Sequence, residues 1–136
     1  MNKETKKLMN KLTIQDLIKN KEKNKAKKNG ETTIKIERLG ATVTIENPDR
    51  ALCLDAIEMA RNPETADQAD KFLVYSVMKE PNLKDPELQK AYECGEPTDI
   101  VDEIFEIGEI SEIALLALEK GGVKRGTISV VEDLKN

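Results

Sequence analysis

The sequence predicts an α+β fold, mainly helical, in which an N-terminal β-hairpin is followed by a bundle of about five short helices. Three observations predict it. Period-two alternation of β-branched residues is confined to 32–46. Triplets of Asn or Asp, Pro and an acid, which start helices, recur at 47, 62 and 85. After each triplet, apolar residues fall at helical spacing. At 136 residues the chain is one domain's worth. We divide it into a basic, partly helical N-terminal arm, 1–30, and a single α+β domain, 31–136.

In the arm, residues 1–12 are polar, Lys-rich and expected to fray. Thr13 and Asp16 mark a helix start, a hydroxyl N-cap followed by a first-turn acid. Leu8, Leu12, Leu17 and Ile18 are the sizeable apolar groups near it. From Lys19 to Lys28 the chain is Lys and Asn with little else, and Asn29-Gly30 ends it. Two readings stand side by side: a solvated, mobile arm, or an amphipathic helix that docks Leu12, Leu17 and Ile18 on a partner.

In the domain, Ile34/Ile36 and Val43/Ile45 alternate with polar residues on either side of Leu39-Gly40, which is a hairpin pattern. A two-stranded hairpin alone is marginal in water, so its apolar face needs cover from helices or a second molecule. Asn47-Pro48-Asp49 predicts an N-cap at Asn47 and a helix to about Arg61, with Leu52, Ala56, Ile57 and Ala60 on one face. Asn62-Pro63-Glu64 predicts the next helix, with Ala66, Ala69, Leu73 and Val77 as its stripe and Glu80-Pro81 as its stop. Asp85-Pro86-Glu87 opens a short helix to about Glu93. Thr98 is expected to cap a helix through Ile107, which Gly108 interrupts, and Glu109–Lys120 follows, closed by Gly121-Gly122. For the tail from Thr127 a short helix is preferred over a strand.

Composition excludes more than it assigns. There is no histidine, so no Ser-His-Asp or Cys-His unit and no His-ligated metal can form within the chain. The longest apolar run, Ile113 to Leu118, is far short of the roughly 20 residues that cross a bilayer. The N-terminus lacks the apolar core of a signal peptide, and the expected location is cytoplasmic. Cys53 and Cys94 are 41 positions apart and are expected to stay reduced. The net charge of −4 divides unevenly: residues 1–30 hold ten lysines against three acids, +7, and the other 106 hold 12 bases and 23 acids, −11. Between 85 and 112 there are ten acids and one base. Such a surface opposes nucleic acid, and only the arm could meet phosphate.

Three patterns have chemical readings. Asp99, Asp102, Glu103 and Glu106 share one helical face, which suits a divalent cation, general acid–base work, a basic partner or simply solvent. The fixed ligand layout of a calcium loop is missing. Gly121–Gly126 is glycine-rich and basic, but it follows a helix and lacks the Lys-Ser/Thr of a phosphate loop, so it reads as a C-cap and turn. Phe72 and Tyr75 sit three apart on a helix, as core residues do. No catalytic residue, cofactor site or metal site follows, and the expectation is a binding or assembly protein rather than an enzyme.

The C-terminal half carries a resemblance. Asp85-Pro86-Glu87-Leu88, Gly95-Glu96-Pro97-Thr98-Asp99-Ile100-Val101, Ile104-Phe105-Glu106-Ile107-Gly108-Glu109-Ile110 and the closing helix to Gly121 together resemble the XkdN-like tail assembly chaperones of phages and phage-derived contractile particles. Val130–Asn136, Thr13–Leu17 and the 32–46 stretch fit the same layout, whereas the Lys-rich 19–28 stretch is longer and more basic than the pattern. The resemblance implies a non-catalytic chaperone. It would bind the tape measure protein, keep it soluble while tail tube protein polymerises around it, and be absent from the finished particle. It hands over no site residues. The candidates for partner contact come from the chain itself: Leu12, Leu17 and Ile18 in the arm, and Ile104, Phe105, Ile107 and Ile110 in the body. Self-association through the hairpin is a further expectation. The alternative is a small regulatory nucleic-acid-binding protein that uses the basic arm.

Overall fold

A computed structural model describes residues 10–26 and 30–131. Leu8, the Lys27–Asn29 end of the arm and the Leu134 end of the tail lie outside the described residues. The fold is α+β, with, among the described residues, one antiparallel sheet near the N-terminus and five α-helices after its hairpin. Among the described residues no helix is long and apolar enough to cross a membrane.

The hairpin forms where the alternation places it. Strands β1 (Glu31–Ile36) and β2 (Ala41–Glu46) pair with Ile34 opposite Val43. A 3-10 turn, Glu37–Leu39, joins them, and Gly40 closes it at φ 60°, the left-handed region that favours glycine. Ile36, Val43 and Ile45 are buried and Ile34 half-buried, so one face of the hairpin is core. The expected Asn47 cap is displaced. Asn47 instead latches the open end of the hairpin: its N–H donates to the Gly30 carbonyl at 2.8 Å and its Oδ1 accepts from Thr32 Oγ1 at 2.8 Å. The N-cap is Asp49, whose carboxylate accepts from the Leu52 N–H at 2.9 Å, and Pro48 is buried just before the helix.

Among the described residues two arm helices precede the sheet, α1 (Ile14–Lys19) and α2 (Lys21–Ala26). After it come α3 (Arg50–Arg61), α4 (Ala69–Val77), α5 (Pro86–Ala91), α6 (Asp99–Ile104) and α7 (Ile107–Lys120). The inner face of α3 is Cys53 and Ala56, flanked by half-buried Leu52 and Ile57; Ala60 is exposed, against expectation. α4 is the hub of the body, packed on α3, α6 and α7. Its Leu73, Val74 and Val77 are almost wholly buried.

Three helix boundaries depart from the sequence reading. At Asn62-Pro63-Glu64 the chain turns rather than starting a helix. Asn62 Oδ1 accepts from Glu64 N–H, Thr65 Oγ1 donates to the Met59 carbonyl, and a 3-10 turn at Ala66–Gln68 delays α4 to Ala69. Side chain to backbone bonds of this kind compete with helix, and they leave Ala66 exposed. At the other end α4 stops at Val77, because Met78–Glu80 extends into a third strand, β3, beside β2. Pairing covers one edge of the hairpin, and Glu80 precedes Pro81, where helix is disfavoured. Between α6 and α7 the break falls at Phe105, extended at φ −111°, ψ 148°, so Gly108 lies inside α7 instead of interrupting it. Phe105 is 4% exposed; turning the chain there drives its ring into the core. Thr98 makes no side-chain capping bond.

The end of α7 is a Schellman motif: Val123 N–H donates to the Leu118 carbonyl at 2.8 Å and Gly122 N–H to that of Glu119 at 3.0 Å. Gly122 is the left-handed residue, at φ 96°, while Gly121 is helical at φ −83°. Gly121 is required by space. A Cβ there would lie 2.5 Å from Cys53 Sγ and 3.1 Å from the Pro48 carbonyl oxygen. Beyond it, residues 123–131 adopt no regular structure, so the expected tail helix is not present up to Val131.

Candidate functional site

The arm helix α1 is specified locally. Thr13 Oγ1 accepts from Asp16 N–H at 3.2 Å and Asp16 Oδ2 accepts from Thr13 N–H at 3.1 Å, a reciprocal capping box. Leu12 before the cap and Leu17 at the fourth helical position occupy the positions of a hydrophobic staple. Ile14, Leu17 and Ile18 then fall at i, i+3 and i+4 on one face. Nothing in the body buries that face: Leu12 is 72% exposed, Ile14 70%, Leu17 52% and Ile18 68%. The sequence reading named three of these and missed Ile14, which the same spacing could have found. Lys11 and Lys19 flank the stripe in the chain and Lys21, Lys23 and Lys25 follow on α2, all exposed.

In the body the four named residues separate. Phe105 and Ile110 are 4% and 7% exposed and belong to the core cluster. Neither can meet a partner while the domain is folded. Ile104 is half-buried against that core. Only Ile107 stands free, at 85% exposed. The difference comes from the break at Phe105, which rotates α7 relative to α6 and turns Ile107 outward.

Four of the ten acids between 85 and 112 hold parts of the fold together through ion pairs. Arg38, in the hairpin turn, forks onto Glu109: Nε donates to Oε2 at 3.0 Å and Nη2 to Oε1 at 2.9 Å. Its Nη2 also donates to the Ile104 carbonyl at 2.9 Å, and its Nε lies 3.0 Å from Glu106 Oε1. This one guanidinium ties the hairpin to the α6–α7 junction. Lys71 on α4 does the same for α6, reaching Asp102 Oδ2 at 2.8 Å and Asp99 Oδ1 at 3.3 Å. Lys79 pairs with Glu31 across the sheet.

These contacts set the titration behaviour. Hydrogen bonding from Arg38, helped by the Glu106 N–H, lowers the Glu109 pKa. The Glu96 N–H, then Lys71, lowers that of Asp99. Asp102, then Asp99, raises the Lys71 pKa against its partial burial. Burial raises both Cys53 and Cys94, with nearby acids adding to it, so neither thiol is activated. Asp99, Asp102, Glu106 and Glu109 are thus bound to side chains of this chain. Among the described residues no group of three or more Cys, Asp and Glu is arranged to hold a metal ion.

Three surface grooves have apolar walls. One of 430 Å³ runs between β1 and α7, with Ile34, Ile36, Ile113 and Leu116 among its walls and Lys35, Glu37, Arg38, Glu109 and Glu112 around them. The second, of 790 Å³, is walled by Cys53, Leu54 and Ile57 of α3 and residues 119–124, with Asn24 of the arm at its edge. The third, of 630 Å³, lies over Leu115, Leu118 and Val123, beside Lys124 and Arg125. Compared with family models, with curated proteins and with solved structures, the chain finds no match.

Proposed function

We propose that this protein is a tail assembly chaperone of the XkdN-like kind, which binds a tape measure protein in the cytoplasm and keeps it soluble during tail tube assembly, without catalysis. The observation that carries the reading is the arm: four aliphatic side chains, each more than half exposed, on a helix whose own capping sequence specifies it. An uncovered aliphatic face with Lys on both sides suits the helix-in-groove mode of recognition. A long helical client supplies such surfaces repeatedly. Ile107, exposed on α7, offers a second apolar contact. The body's excess of acid, −11 over residues 31–136, keeps a complex of exposed apolar chains from aggregating.

Co-expression with a tape measure protein tests it. The expected result is a soluble complex that co-purifies, and Leu17→Asp/Ile18→Asp should return the client to the pellet. A client that stays insoluble with the intact chain overturns the reading. The exposed arm lysines favour one rival, nucleic-acid binding. It predicts affinity for duplex or single-stranded nucleic acid that falls steeply with salt and disappears when residues 1–30 are removed.

A further inference from the structure

We propose that, when no client is bound, the aliphatic face of the arm docks into the β1–α7 groove of a second copy of this chain, giving an arm-exchanged dimer. The inference stands whether or not the client is a tape measure protein.

Three observations select this occupant and this groove. First, the arm presents Leu12, Ile14, Leu17 and Ile18 with nothing over them, a set that water penalises by its apolar area. Second, the β1–α7 groove is apolar at its base and incomplete at its mouth. Ile36 and Ile113 form buried walls, and Ile34 and Leu116 remain half-exposed above them. Its 430 Å³ is room for several aliphatic side chains. Third, the charges match. The two bases beside the groove are already engaged, Lys35 with Glu37 at 3.4 Å and Arg38 with Glu106 and Glu109. Glu112 has no ion pair among the described residues. It stands one turn from Leu116 on the same face of α7. Lysines flanking the arm stripe would meet that carboxylate as the stripe enters. The other two grooves each carry one more base than acid: Glu119 with Lys124 and Arg125 in one, and Asp49 and Glu119 with Arg50, Lys120 and Lys124 in the other. The acidic cavity beside Glu31, Glu46 and Asp49 is walled mainly by polar groups, with Leu52 and Val77 as its apolar side chains beside Pro48, and offers an aliphatic stripe less to bury against.

Reciprocal exchange of two arms makes a closed, two-fold assembly, each groove filled by the other copy's arm. It also shields the aliphatic face until a client replaces it, so one surface serves two occupants in turn.

Sedimentation of the full chain at low salt tests the proposal without any client. The expected mass is that of a dimer, falling by half when salt is raised and in Leu17→Asp/Ile18→Asp, whose sites are exposed and whose fold circular dichroism can check. Glu112→Lys should raise the dimer Kd about tenfold, the scale of one or two charge contacts. Leu116→Arg should abolish the dimer; if that variant does not fold, Glu112→Lys takes its place. Mixing the arm variant with the groove variant should give a heterodimer weaker than the wild-type dimer, because the intact arm of one copy meets the intact groove of the other while the reciprocal contact stays broken. A wild-type chain that stays monomeric across the micromolar range overturns the proposal. So does a mixture that restores nothing, which would mark arm-to-arm contact. So does an Ile18→Cys/Glu112→Cys disulfide that closes within one chain.

Discussion

Helices α1 and α7 begin with similar local chemistry and end in opposite places. In α1 the Asp16 carboxylate reaches back to the Thr13 N–H; in α7 the Glu109 carboxylate reaches back to the Glu106 N–H at 2.9 Å. Both carry aliphatic residues at helical spacing. Yet α1 buries no residue, while α7 buries Ile110, Ile113, Ala114 and Ala117. The difference lies in the neighbours. α7 is long enough to pack along α4, and Glu109 is gripped by Arg38 from the hairpin. α1 is six residues long and is followed by α2, whose residues Lys21 to Lys25 are polar throughout. Capping chemistry starts a helix; it does not assign the helix a partner. A helix that short is marginal in water unless its face is covered, which is why the arm is the place to look for binding.

The contrast can be broken most strongly at the hub. Leu73→Ala on α4 should cost about 2–5 kcal/mol, because a side chain 1% exposed leaves a cavity. Leu17→Ala in the arm should change stability by no more than about 0.5 kcal/mol in dilute solution. Urea denaturation of the two variants measures both, and equal effects would show that the arm is part of the folding unit.

Next come the glycines at either end of α7. Gly121→Ala forces Cys53 and Pro48 apart and should cost about 1–3 kcal/mol. Gly108→Ala meets open space in the first turn and should stabilise by up to about 1 kcal/mol. Opposite shifts in Tm are the expected readout.

Acid should weaken the body before the arm. Glu109 and Asp99 have lower pKa values folded than unfolded, so the unfolded chain binds more protons as pH falls toward the carboxylate range. Their contribution is complete above the unfolded values near pH 4 and is lost as pH falls through the folded values. Arg38→Met should flatten that part of the stability–pH curve by removing the main cause of the Glu109 shift. A curve with unchanged slope would show that the fork does not couple to folding. Lys71→Met sharpens the same point on α6: losing a mostly buried ammonium between two half-exposed carboxylates should cost about 1 kcal/mol.

The smallest effect is local. Thr13→Ala removes half of the α1 capping box and should weaken that helix by about 1 kcal/mol. Faster amide exchange at residues 14–19, with the body's protection unchanged, is the expected result.

Much of this was legible along the chain. The hairpin was, because β-branched alternation fixes both conformation and face, and Ile36, Val43 and Ile45 all turn inward as read. So was α5, where Asp85 accepts from both Glu87 and Leu88 N–H and Pro86 sits in the first turn. Leu12, Leu17 and Ile18 were legible as an apolar stripe, and the structure leaves them uncovered. Ile104, Phe105, Ile107 and Ile110 were not separable, since helical periodicity describes a continuous helix and the break at Phe105 is not encoded by Pro or Gly. The reading of Gly108 as the interruption followed residue type; the fold put the break where an aromatic ring could be buried.

By itself, the sequence determined the conformations set within a few residues: the strands of the hairpin, the Thr13 and Asp85 caps, the charged arm and the exclusion of histidine chemistry. Tertiary structure alone decided which faces are covered. It recruited Met78–Glu80 as a strand because β2 had an open edge, and it required Gly121 because Cys53 and Pro48 pass too close for a side chain. It also engaged four of the acids between 98 and 112 with Arg38 and Lys71, residues 71 and 31 positions from their principal partners Glu109 and Asp102. Burial and ion pairing depend on distances in space between residues far apart in the chain, and no local pattern contains them.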